Sequence, residues 1–161
     1  MIRAIAAIDD RNGIAISSGL RTIPWDIPED MARFKSLTQG APVLMGVHTY
    51  ETLPQPLPGR HNVVLSRQLD SVRPGFELAR DLESFVSLNP DLDMWVIGGS
   101  ELYKTALQHC QQLYITHVSG DFSCDRFFPD YTQEFALTEV TPRATSGEYT
   151  YRFAVYDRIK A

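Results

Sequence analysis

A chain of 161 residues with 43 % apolar and 22 % charged side chains, and only 10 glycines and 10 prolines, can bury a core of its own and is too unbiased for disorder, collagen-like repeats or low complexity. Its 15 lysines and arginines against 20 aspartates and glutamates leave a net charge of −5. That balance excludes a general coat for nucleic acid or an anionic membrane, because neutralising phosphates needs a basic surface.

The chain opens with Ile2, Arg3, Ala4, Ile5, Ala6, Ala7 and Ile8, an almost wholly apolar run that predicts a strand covered on both faces in a mostly parallel sheet. It is too short, and too soon followed by Asp9 and Asp10, for a signal peptide, and no apolar run approaches membrane-spanning length, so the cytoplasm is the expected compartment. Residues 14–26 mix Ser17, Ser18 and Gly19 with Leu20, Ile23 and Trp25 and read as a long loop of the kind that carries function. A helix follows to about Gln39, with Asp26 as its cap, Pro28 in the first turn and Glu29 in the capping-box position. Residues 42–46 predict a second buried strand, 49–53 a short helix and 62–66 a third strand after the turn-rich Pro54 to Gly59 stretch. A weak strand at 77–79, a helix over 82–88 opened by Asp81, a buried strand over 94–99 and a helix over 100–108 come next. The last third is strand-like at 113–118, 134–140 and 149–156, the last two flanking a turn at Gly147 as an antiparallel pair. The order implies an α/β fold, one domain over 1–161, with a mostly parallel central sheet and an antiparallel C-terminal hairpin.

Three features could carry chemistry. On the helix expected from the Asp26 cap to about Gln39, Ile27, Asp30, Met31, Phe34, Leu37 and Thr38 share one face, so Asp30 is a carboxylate inside an apolar stripe, whereas Glu29 and Arg33 fall on flanking, solvated sides. Asp30 either complements the helix dipole or pairs with a cationic ligand, and spacing leaves both open. Ile97, Gly98, Gly99 and Ser100 carry a strand through two glycines into a helix start, where backbone amides favour an anion or the glycines simply permit a turn. Between residues 31 and 69 Arg33, Lys35, Arg60 and Arg67 face the single carboxylate Glu51, a local positive patch suited to carboxylates or phosphates. Cys110 and Cys124 have no paired spacing and no histidine at zinc-ligand distance, so reduced thiols and no metal are expected.

Together these residues resemble the dihydrofolate reductase family. The resemblance runs along nearly the whole chain: Ile5-Ala6-Ala7, Pro24-Trp25 through Pro28 and Asp30, Phe34-Lys35 and Thr38, Leu44-Met45-Gly46 with His48-Thr49-Tyr50, Pro56-Leu57-Pro58-Gly59-Arg60, Ile97-Gly98-Gly99 with Tyr103, Tyr114 through His117, and Asp125 with Phe128-Pro129. It implies the dihydrofolate reductase-like fold with helices on both sheet faces. It further implies hydride transfer from C4 of reduced nicotinamide to C6 of 7,8-dihydrofolate, with N5 protonated by solvent, in support of one-carbon metabolism and of thymidylate and purine synthesis. No nucleophile is needed, which suits a sequence without a Ser-His-Asp or Cys-His arrangement.

By the same resemblance Asp30 is the catalytic carboxylate that pairs with the N3 and 2-amino edge of the pterin, Thr116 is its hydrogen-bonded companion, and Trp25 helps hold a water near it. Ile5, Ala7, Ile97 and Tyr103 line the place where pterin and nicotinamide meet. Met31, Phe34, Leu53 and Leu57 sandwich the aminobenzoyl ring, while Arg60 grips the α-carboxylate of the glutamate tail with Lys35 nearby. NADPH is the implied cofactor, with Gly98 and Gly99, joined by a cis peptide in the family, approaching it and Ser100 facing the pyrophosphate. His48, Thr49, Ser66 and Arg67 hold its phosphates, the last two at the 2′-phosphate, which favours NADPH over NADH. Ile14, Ala15, Ile23, Gly46, Leu65, Glu101 and Leu102 complete the cofactor side.

Several positions depart from the family pattern. Val47 replaces an arginine and Glu101 a basic or neutral residue, which predicts a weaker grip on cofactor phosphates. Ala15 replaces a glycine, nine residues separate Ile14 from Pro24, and Gln55 replaces a second basic residue near the glutamate tail. A monomer that binds dihydrofolate and is inhibited by antifolates is expected. A riboflavin-pathway-type pyrimidine or pterin reductase, or a non-catalytic pterin- or nucleotide-binding module, remains the alternative.

Overall fold

The computed structural model describes residues 1–18 and 22–160. In chain order the elements are β1 (Ile2–Ile8), β2 (Gly13–Ala15), α1 (Pro28–Thr38), β3 (Pro42–Met45), α2 (Val47–Thr52), β4 (His61–Leu65), β5 (Phe76–Ala79), α3 (Leu82–Leu88) and β6 (Met94–Gly98). They continue with α4 (Ser100–Ala106), a 3₁₀ turn over Leu107–His109, β7 (Gln112–Val118), β8 (Arg126–Phe127), β9 (Phe135–Val140), β10 (Ala144–Ser146) and β11 (Tyr149–Arg158). The main sheet runs β10-β11-β7-β1-β6-β3-β4-β5, with β9 also on β11. From β7 to β5 every pairing is parallel, and β11 is antiparallel to β7, β9 and β10. This is the mostly parallel α/β sheet with an antiparallel C-terminal edge that the sequence predicts.

The two-residue period of the central strands sorts their side chains onto two faces. Ala4, Ile8, Leu44, Val63, Val96, Leu113 and Ile115 point to one side and pack on Leu82 and Phe85 of α3 and on Leu102, Tyr103 and Ala106 of α4. Their neighbours Ile5, Val43, Met45, Val64 and Trp95 point to the other, against Phe34 and Leu37 of α1 and Tyr50 of α2. Covered on both sides, these strands can be apolar at nearly every position.

Some boundaries differ from expectation. Helix α1 starts at Pro28, and its cap is Ile27, extended at φ −124° with no side-chain cap bond. Proline has a preset φ and no N–H to satisfy, so it takes the first helical position and displaces the cap from Asp26 to a residue whose side chain is buried. Glu29 accordingly does not close a capping box and takes a hydrogen bond from Ser146. The loop expected from Ile14 begins as β2, paired antiparallel with β8, and Gly19, Leu20 and Arg21 lie outside the described residues. The helix expected over 100–108 ends at Ala106 and tightens into the 3₁₀ turn. The Gly147 turn joins β10 to β11, while β9 pairs with the other half of β11 through a bulge at Val155 and Tyr156. Pro142, without an N–H to donate, separates β9 from β10.

Asp9, at the end of β1, is 3 % exposed. Its carboxylate accepts backbone N–H bonds from Arg11 (2.9 Å), Gly13 (2.7 Å) and Phe122 (3.1 Å), which ties the β1–β2 turn to the segment preceding Asp125. Burial works to raise its pKa, but the amides prevail and hold it below the ordinary aspartate value. A group with a depressed folded pKa stabilises the fold above its unfolded pKa and loses that contribution as pH falls through the folded one. Asp9→Asn is therefore expected to lower stability by about 1–3 kcal/mol at neutral pH and to flatten the loss of Tm between about pH 5 and pH 2. Thermal melts across that range check this.

Candidate active site

A cleft of about 880 Å³ opens at the C-terminal ends of β1, β3 and β6, where ligands bind in open α/β sheets. The Gly46 amide donates to the Gly98 carbonyl at 2.8 Å and holds the ends of β3 and β6 together. Gly98 has φ +125° and is joined to Gly99 by a cis peptide. A Cβ at Gly98 would stand 3.3 Å from Thr49 Oγ1 and 3.4 Å from the Tyr103 hydroxyl, so a side chain there would be both strained and crowded. The cleft is lined by Ala7, Ile14, Ala15, Ile23 and Trp25 on one side. Gly46, His48, Thr49, Ile97, Gly98, Gly99, Ser100, Glu101, Leu102 and Tyr103 line the other.

A second cavity of about 620 Å³ shares Gly46, Val47, Glu101 and Leu102 with the first and adds Leu65, Ser66 and Arg67. The buried Ser66 hydroxyl accepts from the amides of Gln68 (3.1 Å) and Leu69 (3.0 Å), so it braces the loop as well as lining the cavity. Arg67 is mostly exposed and lies 3.6 Å from Asp81. Arg80 lines the same cavity and donates to the Ser66 carbonyl at 3.1 Å.

Asp30, in the first turn of α1, is half-buried against the sheet, and the buried Thr116 hydroxyl donates to its Oδ1 at 2.5 Å. Burial pushes Asp30 above the ordinary aspartate pKa, and the Thr116 hydrogen bond and the Arg33 cation only partly counter it. Trp25 is buried edge-on against Phe122, with ring centroids 5.3 Å apart. Tyr103 donates its hydroxyl to the Ile5 carbonyl at 2.7 Å, and burial raises its phenol so far that it stays neutral. Arg33 is not the solvated residue that the helical wheel predicts. Its guanidinium lies 4.3 Å from the Phe153 ring centroid and 5.5 Å from that of Tyr114, because a long arginine stem on a flanking position can fold onto aromatic faces of the sheet.

Farther along α1, Phe34 packs with Leu53 and Leu57 on the same sheet face as Ile5. Arg60 stands 5.8 Å over the Phe34 ring, donating through Nε to Pro58 O (2.9 Å) and through Nη1 to Thr38 Oγ1 (3.2 Å). The buried Asn62 side chain holds this loop, accepting from Leu57 N and donating to the carbonyls of Leu57 and Arg60. Gly59 has φ +73°, and a Cβ there would meet the Gln39 amide at 1.8 Å. Met31 is 60 % exposed and Lys35 is exposed in the last turn of α1. These residues form a strip beyond Asp30, outside the two cavities.

The sequence model of the family described as dihydrofolate reductase matches residues 1–158. The chain belongs to the dihydrofolate reductase family. It is 39 % identical over 132 residues to dihydrofolate reductase type 3 of Salmonella typhimurium, covering 81 % of this chain and 80 % of that one. It is 41 % identical over 149 residues to the dihydrofolate reductase of Neisseria meningitidis serogroup B, covering 90 % and 91 %. A structure of dihydrofolate reductase from Enterococcus faecalis complexed with NADP(H) and RAB-propyl superposes with a TM-score of 0.89 at 26 % identity, covering 99 % of this chain and 97 % of that one.

Against the dihydrofolate reductase pattern, the departures at Val47 and Glu101 fall where the two cavities join, and Gln55 is exposed. The presence of Arg80 and the placement of Arg33 escape a reading of the sequence. Arg80, beside the α3 cap Asp81, has no periodicity to set it apart from a solvated cation, and Arg33 is placed by rings on strands far away in the chain. Among the described residues no helix is long and apolar enough to cross a membrane.

Proposed function

We propose that this chain reduces 7,8-dihydrofolate to tetrahydrofolate with NADPH, and that the residues described above divide the work. The observation that carries this reading is the Asp30–Thr116 pair, a half-buried carboxylate bonded to the strand neighbour of Ala7, which itself lines a cleft large enough for a dinucleotide. Membership of the family favours dihydrofolate reduction over the riboflavin-pathway alternative, and Arg60 gives a glutamate tail a partner which that alternative does not need.

The two joined cavities fit NADPH in shape and chemistry. Ile14, Ala7 and Ile97 give the first an apolar wall and Gly98 and Gly99 let a ligand approach the backbone, while Arg67 and Arg80 give the second the cations a 2′-phosphate needs. When bound there, NADPH supplies the hydride delivered to C6 of the pterin.

The ionised Asp30 carboxylate accepts the two N–H groups at the N3 and 2-amino edge of the pterin, orients the ring and stabilises the positive charge it gains when N5 is protonated. Thr116 fixes the carboxylate rotamer, and Trp25 closes the water-side wall beside it. Tyr103, tied to the Ile5 carbonyl, shapes the floor and exchanges no proton. Phe34, Leu53 and Leu57 hold the aminobenzoyl ring by apolar contact, and Arg60 reads the α-carboxylate with a planar fork that lysine lacks. Arg60→Lys is accordingly expected to raise the KM for dihydrofolate by roughly tenfold or more with kcat little changed, as steady-state kinetics would show.

The chain acts as a monomer on small molecules, without nucleic acid, and antifolates that carry a cationic edge to Asp30 inhibit it. Its two free, buried cysteines support a reducing cytoplasmic setting. Absorbance at 340 nm tests the function: it is expected to fall with NADPH and dihydrofolate and to fall more slowly with NADH at equal concentration. Well-folded protein that leaves the absorbance unchanged would refute the reading.

A further inference from the structure

Arg33 lies one helical turn beyond Asp30 and is half-buried, whereas Glu29 and Lys35 on the same helix are exposed. Its guanidinium rests on Phe153 and Tyr114. Phe153 is the cross-strand partner of Thr116, and Tyr114, two residues before Thr116, points to the same face. The rings that fix Arg33 and the hydroxyl that fixes Asp30 therefore belong to one strip of sheet.

Among the described residues Arg33 enters no ion pair, and Glu139 on β9 acts on it only through space. The other groups that face Asp30 are Thr116 from β7, Tyr103 from α4 and Tyr151 from β11, both phenols being raised and neutral. Arg33 is the cation among them that favours the ionised carboxylate, and burial of Asp30 opposes it.

Resting on the function proposed above, we infer that Arg33 is a positioning residue for hydride transfer, a guanidinium clamped on the Tyr114 and Phe153 rings that keeps Asp30 ionised beside the pterin. Entry of substrate and cofactor expels water, which disfavours a bare carboxylate. A charge held by aromatic faces in place of a contact ion pair counters that without occupying the oxygens of Asp30, which stay available to the pterin edge. The same cation disfavours a protonated pterin, so both effects move the pH dependence of turnover downwards.

The test compares Arg33→Met, which keeps an apolar stem on the rings, with Arg33→Lys, which keeps the charge; Arg33→Gln is the second neutral variant should the methionine one fail to fold. Two quantities are read: the pH profile of kcat/KM, and the carbon-13 carboxyl titration of Asp30 in ligand-free protein. The neutral variant is expected to move both midpoints upwards by about half a unit to one unit, and the lysine variant by less than about 0.2 unit. Unmoved midpoints in a folded neutral variant, or equal shifts for methionine and lysine, would overturn the inference. A carboxyl titration that moves while the pH–rate profile stays still would overturn the role in turnover. Failure of the underlying function reads differently: the parent protein would not oxidise NADPH, while the Asp30 titration would still report on Arg33.

Discussion

Asp30→Asn is expected to keep the fold, to melt at or above the temperature of the parent protein at neutral pH, and to lose roughly a hundredfold or more of kcat/KM. The amide can still take a hydrogen bond from Thr116, but it offers one acceptor where the pterin edge presents two donors, and it carries no charge to balance a protonated ring. Stability moves the other way because burial raises Asp30 in the folded chain. A group with a raised folded pKa contributes stability below its unfolded value and loses it as pH rises through the folded one, so at neutral pH the ionised Asp30 costs stability. Replacing it removes that cost. Melting curves and kinetics on the same preparation check both halves, and a variant that keeps near-parental kcat/KM would remove Asp30 from the reaction.

Gly98→Ala is expected to weaken NADPH binding by at least about tenfold and to cost about 1–3 kcal/mol of stability. At φ +125° an L side chain is strained, and its Cβ would press on Thr49 Oγ1 and the Tyr103 hydroxyl. Tyr103 cannot yield freely, since its hydroxyl is bonded to the Ile5 carbonyl in the core. The backbone at Gly98 must therefore shift, and it is that backbone which lines the cleft. Calorimetric titration with NADPH and a thermal melt separate the loss of binding from the loss of fold.

Strands β1, β3, β4 and β6 are legible because each is a short, largely apolar run, and the sheet covers both faces of these runs with α1 and α2 on one side and α3 and α4 on the other, whereas β5 and β7 interleave polar residues such as Glu77, Thr116 and His117. Asp30 was legible for a related reason, as a charge inside an apolar stripe. Strands β2, β8 and β10 were not, since two or three residues carry no measurable period and exist only through their partners. The cap of α1 falls at Ile27 and not at Asp26 because Pro28 decides the first helical position more strongly than Asp26 decides the cap. A helical wheel gives the angle of Arg33 but not its surroundings, since only β7 and β11 together place two rings beneath it. The family resemblance implies that Ser66 is a phosphate ligand, while its binding to the amides of Gln68 and Leu69 depends on how the loop turns.

In the function proposed here, Asp30 holds a pterin beside the cleft so that a hydride passes from NADPH to dihydrofolate. Turnover with NADPH carrying deuterium at both positions on C4 of the nicotinamide, followed by mass spectrometry of the folate product, tests this. Tetrahydrofolate bearing one deuterium at C6, formed in step with NADPH oxidation and suppressed in Asp30→Asn, is the predicted result. Oxidation of NADPH without label in the folate, or labelled product formed equally well by Asp30→Asn, would contradict it.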